Sequence, residues 1–152
     1  RGVGALLGPM CGGYWTGQRE PRLRTGILYG FLAGTVGYLC LGFAPSVWLA
    51  FAAIVLAHAG GSVVWVFSTT LLQTHTEDRY RGRVFSADYA FLVVSMSLVS
   101  YLAGTLIDLG ISVRTLAVLT GLFGIGPAIA WSMALRLWNR PGAPSLSYDG
   151  DR

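Results

Sequence analysis

The sequence predicts an all-α, polytopic helical membrane protein, and three observations carry that prediction. Hydrophobic residues make up 53% of the chain and charged residues only 12%, where a soluble domain is usually about 25% charged. The mean hydropathy is +0.57, which also excludes a disordered chain, since disorder needs low hydrophobicity and high net charge. The apolar residues gather into five long runs, with the arginines confined to the stretches between them. Lipid offers no partner to a backbone N–H or C=O, so such runs must be helices or strands of a closed barrel. The alternating pattern of a barrel strand is absent.

The elements follow in order. Gly2–Thr16 is an apolar run shorter than a full span. The chain opens on Arg1 without a methionine or a readable signal peptide. It is therefore expected to be a piece of a longer protein, its first run cut short. Thr25–Phe43, Val47–Leu72, Val84–Ile107 and Thr115–Leu135 each reach the length of about 20 residues that crosses roughly 30 Å of hydrocarbon. The longest, Val47–Leu72, spans with some tilt. Residues 1–138 thus form a helical membrane region, and residues 139–152 (NRPGAPSLSYDGDR) form a polar tail too rich in Pro, Gly and Ser to pack.

The arginines set the orientation. Gln18–Arg24 carries Arg19, Arg22 and Arg24; Gln73–Arg83 carries Arg79, Arg81 and Arg83; the tail carries Arg136, Arg140 and Arg152. In an alternating five-span layout these nine share one side, leaving Arg1 and Arg114 on the other. The positive-inside rule makes the rich side cytoplasmic, the tail included. The net charge of +4 is therefore a topology signal. A nucleic-acid face would interleave arginines with polar or aromatic readers. Cys11 and Cys40, both within apolar runs, read as two buried thiols.

Small residues recur four apart, at Gly4, Gly8 and Gly12 and again at Gly26, Gly30 and Gly34. Such spacing lets two backbones approach closely in lipid. It serves either plain helix packing or a sliding interface. Trp15, Trp48, Trp131 and Trp138 lie near the predicted boundaries, as an interfacial belt would, while Trp65 is deep in its run.

His58 is the one ionisable side chain near the middle of a predicted span. Intramembrane ionisable groups are costly and face a bundle interior or a wet cavity. At helical spacing His58 continues into Ser62, Trp65 and Thr69, a polar and aromatic stripe on an otherwise apolar helix. These four are the candidate substrate or proton pathway, a histidine being suited to proton coupling. The structural alternative is a neutral histidine bonded once to a neighbouring helix. Asp88 lies just inside the fourth run. It is expected to pair with Arg79, Arg81 or Arg83, or to cap the helix start, where a carboxylate meets the positive end of the dipole. Asp108 closes the same run beyond Ser97, Tyr101 and Gly104, as an interfacial acid with Arg114 opposite.

No HExxH, nucleophile elbow or P-loop occurs, and no paired carboxylates are spaced for acid–base work. The chain is not expected to be an enzyme, and it shows no metal or cofactor signature.

The segment Leu71–Ser86, LLQTHTEDRYRGRVFS, resembles the major facilitator superfamily, in which many bacterial exporters end one span with LLQ and open the next after RGRV. Upstream, GALLGPMCGGYWTGQREPRLR is similar to that family's glycine-rich span and basic hairpin loop, and Phe43-Ala-Pro-Ser-Val-Trp48 to the short outside turn that follows. The likeness covers most of the chain. It departs from the family in two places: the acid–arginine signature of the hairpin loop is not reproduced, and GxxxGPxxGG at Gly4–Gly13, an antiporter pattern, stands next to a basic loop rather than toward the outer end of its span.

The resemblance implies five helices of a twelve-helix fold, spans eight to twelve, with the N-terminal half of the same chain as the missing partner. Spans two to six would give a similar layout, because the two halves are related repeats; the polar terminus after one last span favours the C-terminal half. It further implies a secondary active transporter of a small molecule in the cell membrane. That would be an efflux permease working by alternating access and coupled to protons, with Arg79, Arg81, Arg83 and Asp88 forming a cytoplasmic hinge loop. Two alternatives stand beside it. One is a non-transporting sensor or assembly partner on the same fold. The other is a membrane-embedded lipid-processing enzyme, which would need a polar constellation at the surface that the sequence lacks.

Overall fold

The computed structural model describes residues 1–17 and 19–138; the predicted tail lies outside the described residues. The described chain is helical throughout, apart from short connections. The elements are α1 (Gly2–Thr16), α2 (Glu20–Gly42), α3 (Val47–His75), α4 (Asp78–Asp108) and α5 (Val113–Trp138). Four of them, α2 to α5, are long and apolar enough to cross a membrane. α1, with 15 residues, covers only about 22 Å and is not.

Each long helix starts or ends beyond the apolar run that predicted it, because a helix continues into the polar boundary until a cap stops it. α2 starts at Glu20, with Pro21 in its first turn, where the missing N–H costs nothing, and with an acid at the positive end of the dipole. The side chain of Ser46 accepts from the Leu49 N–H at 3.3 Å and so caps α3. Ser112 Oγ accepts from the Thr115 N–H at 3.1 Å at the start of α5. Gly17, at φ 53, ends α1 in the left-handed conformation that glycine adopts without steric cost. α4 starts at Asp78, six residues before the predicted Val84. The stretch expected to be a loop is thus reduced to the corner Thr76–Glu77.

Four helices pack in the order α1, α3, α2, α5. Both predicted glycine ridges lie at these seams, and both serve close approach. A methyl group at Gly4 or Gly8 would collide with the α3 backbone at Val55 or Ala59. On α2, a methyl at Gly30 would lie 2.7 Å from Val64 Cγ2 and 2.8 Å from the Gly60 carbonyl oxygen. Gly60 answers from α3, where a methyl would meet Gly30 O at 2.5 Å and Gly34 N at 2.6 Å. With no hydrophobic drive between helices in lipid, dispersion between closely packed backbones does the work.

The core is small. Leu23, Ile27 and Phe67 are buried together, flanked by Phe31, Val63, Val64, Leu71 and Trp131. Phe67, only 2% exposed, fills the space left by Gly12 of α1 and Gly26 of α2. Most large apolar side chains point outward, among them Trp48 and Phe123. Cys11 and Cys40 are exposed as well, correcting the expectation of buried thiols. In a membrane protein an apolar run does not imply an interior position, since the outside is equally apolar.

α4 is the exception to this packing. None of its residues is buried. Its less exposed positions, among them Val84, Phe85, Leu92, Ser95, Ala103 and Leu106, fall on one helical face, while Ser86, Ala90, Ser97, Tyr101, Gly104 and Asp108 lie exposed on the opposite one.

Candidate functional site

His58 sits three residues before the midpoint of α3. Counted from Val47 it is about 16 Å along the helix, half the thickness of a hydrocarbon core. Two other helices reach it. Arg1 donates Nε–H to His58 Nε2 at 2.8 Å, and the Tyr38 ring of α2 stands edge-on with centroids 6.5 Å apart. The bond from Arg1 requires a lone pair on Nε2, hence an imidazole carrying its proton on Nδ1.

The position of Arg1 differs from the expected one on the outer surface. The cause is the seam between α1 and α3. Gly4 and Gly8 meet Val55 and Ala59, and Gly12 meets Phe67. That register sets the backbone of Arg1 more than a turn before His58, beyond Val47, and its long side chain reaches along α3 to the imidazole.

Ser62, Trp65 and Thr69 continue along α3 from His58. Ser62 and Thr69 are half-buried, and Trp65 is exposed. The stripe is therefore a single flank of one helix, joined at its outer end by side chains from α1 and α2.

Arg79, Arg81, Arg83 and Asp88 lie on α4 itself rather than in a loop. Arg81 pairs with Asp78 at 2.6 Å, and Arg79 lies 3.8 Å from Glu77 with its guanidinium over the Tyr80 ring. Asp88 was expected to take one of these arginines or to cap the helix, and it does neither among the described residues. With the helix starting at Asp78, Asp88 is three turns in, out of reach of the open N–H groups. The nearer acids Glu77 and Asp78 take Arg79 and Arg81, while Arg83 forms no ion pair among the described residues. The corner at Thr74–Arg79 borders an open cleft of 460 Å³.

One cluster escaped the sequence reading. Glu20 pairs with Arg24 of its own helix and lies 3.4 Å from His75 Nε2 at the end of α3. Arg24 in turn lies 4.3 Å over the Trp138 ring, its carbonyl accepts from Trp131 Nε1 at 2.8 Å, and the two tryptophans meet edge to face. A polar and aromatic clamp thus joins α2, α3 and α5 at the arginine-rich end. Trp131, about one turn inside the last run, reads in the sequence as a belt tryptophan, so no local signal marked this cluster. No known family pattern, no curated protein and no solved structure matches the chain.

Proposed function

We propose that the chain is part of a secondary active transporter of the major facilitator kind, an exporter of a small amphipathic compound that works by alternating access and draws on the proton gradient. In this reading it lies in the cell membrane with its arginine-rich end in the cytoplasm. It forms one half of a two-part bundle with the midplane site between the halves. The observation that carries the reading is the outer face of α4. Ser86, Ser97, Tyr101, Gly104 and Asp108 are exposed on one face of α4, opposite its less exposed residues. Hydroxyls and a carboxylate are disfavoured against lipid tails, whereas a water-filled cavity accommodates them. The His58 stripe supplies a second polar surface at mid-depth, and the α3–α4 corner, followed by the local pairs Arg79–Glu77 and Arg81–Asp78 at the start of α4, serves as the cytoplasmic hinge.

The test is flux. The full-length protein, purified and sealed into liposomes, should move a small organic compound across the membrane and do so faster when a pH gradient is imposed. A complete absence of movement over a panel of anionic, neutral and cationic compounds would leave a sensor or assembly partner as the better description.

A further inference from the structure

We infer that His75 and Glu20 form a proton-operated latch at the arginine-rich end. A proton on His75 fastens the end of α3 to the start of α2, and its loss releases them. The latch goes beyond the transporter reading and does not depend on it, since it stands on contacts among α2, α3 and α5.

Both ring nitrogens of His75 face acceptors. Nδ1 lies 2.9 Å from the Leu71 carbonyl oxygen, and Nε2 lies 3.4 Å from Glu20 Oε1. A neutral imidazole carries one N–H and one lone pair, so it leaves a lone pair against an oxygen on one side or the other. The nearby Thr74 hydroxyl, 3.2 Å from Nδ1, does not resolve this, because it donates to the same Leu71 carbonyl at 2.9 Å. The imidazolium, a donor at both nitrogens, satisfies both contacts at once. The two helices favour the same charges. His75 is in the last turn of α3, where the dipole favours a cation, and Glu20 is in the first turn of α2, where it favours an anion.

Other charged groups stand around the pair. On α2, Arg24 shares Glu20 Oε1 with His75, which opposes a second cation but also holds the carboxylate in place. Arg24 is in turn fixed over the Trp138 ring of α5, whose nearest charged side chain, Arg136, is exposed. Glu77, Asp78 and Arg79 line the same open cleft as His75 at the start of α4. α1 carries no charged side chain; after it, Arg19 is exposed and Arg22 donates to the Trp15 carbonyl at 3.2 Å. The end of α3 has no left-handed cap. Its last carbonyls are met by the side chains of Thr74, His75 and Thr76 instead. Loss of the His75 proton therefore loosens both the tether to α2 and the last turn of α3, and with them the Thr76–Glu77 corner from which α4 departs.

The sign follows from which form the fold prefers. The folded contacts favour the protonated ring, so the latch holds at low pH and is lost as pH rises through the range of about 5 to 8 in which imidazoles change charge. The experiment is hydrogen exchange at the amides of residues 72–76 in the full-length protein in lipid nanodiscs, at about pH 5.5 and pH 8, corrected for the chemical exchange rate. In the natural sequence these amides should exchange about threefold more slowly at the lower pH, the scale of a half-exposed ion pair. His75→Gln and Glu20→Gln should each remove that pH dependence. His75→Arg, a fixed cation, should keep exchange slow at both values. Arg24→Gln should keep the pH dependence, which separates the latch from the Glu20–Arg24 pair.

Exchange that does not change with pH overturns the latch, as does slower exchange at the higher pH. So does a pH dependence that survives in His75→Gln or Glu20→Gln. A monodisperse elution profile for each variant separates loss of the latch from loss of the fold. A pH response that behaves as expected, in a protein that moves no compound across liposomes, would keep the latch and reject the transporter reading. Flux with no pH response at these amides would do the reverse.

Discussion

The seams among α1, α3, α2 and α5 and the bare surface of α4 are built from similar residues to opposite effect. Along α1 and α2 nearly every turn presents a glycine to the seam, and at several of them, as at Gly30 and across from it at Gly60, the space of the missing side chain is occupied by a neighbour's backbone. α4 also carries glycines, Gly82 and Gly104, and around both a methyl group would meet nothing within 4 Å. Composition alone does not separate them; the partner does. Where small residues have a partner they lock two helices at backbone distance. Where they have none, together with serines and an aspartate, they leave a polar surface that lipid does not satisfy. The comparison teaches that the described helices contain one packed unit, α1, α3, α2 and α5, and one helix, α4, with no buried residue on either face.

The contrast is broken most severely at the glycines. Gly60→Leu should destabilise the protein by on the order of 3 kcal/mol or prevent folding, since the added atoms run into the Gly30 and Gly34 backbone. Gly104→Leu should change stability by no more than about 0.5 kcal/mol. Reversible unfolding of the two variants in mixed micelles compares them, and a large loss at Gly104 would mean that a helix packs there. Phe67→Ala removes the side chain that fills the gaps at Gly12 and Gly26 and should cost on the order of 2 kcal/mol by the same measurement. That is less than in a soluble core, because lipid replaces water as the alternative surrounding.

Smaller effects sharpen the account at the arginine-rich end. Trp131→Phe keeps the ring but removes the bond to the Arg24 carbonyl, an expected loss of about 1 kcal/mol, with faster hydrogen exchange at the amides that close α5. Arg81→Gln breaks the pair with Asp78, which is 89% exposed. It should shift stability by about 0.5 kcal/mol or less. A larger effect on flux than on stability would support a hinge at this corner.

How much of this was legible in the sequence depended on whether a signal was local. The helices were readable because hydropathy and length act within one segment, and both glycine ridges were readable because spacing of four is a property of one helix. The starts of α2 and α4 were missed by five and six residues: apolar runs stop at the first arginine cluster, while the helices run on through Glu20–Arg24 and Asp78–Arg83. What a residue touches was not readable at all. Nothing in the sequence set Arg1 beside His58, because that depends on the register of α1 against α3, fixed by Gly4 and Gly8 against Val55 and Ala59. The exposure of Cys11 and Cys40 was hidden for a related reason. Inside and outside share one polarity in a bilayer, so hydropathy does not choose between them.

The central claim, that the outer face of α4 meets water, is tested most directly by cysteine scanning of residues 86–108 in the full-length protein in whole cells. Cys11 and Cys40, both exposed, are first replaced by serine, and labelling uses a membrane-impermeant maleimide. Ser86→Cys, Ser97→Cys, Tyr101→Cys and Gly104→Cys should react, and Leu92→Cys, Ala103→Cys and Leu106→Cys should not, in the period of a helix with one wet face. Reaction at neither set, or protection of the first set with reaction of the second, would contradict the account.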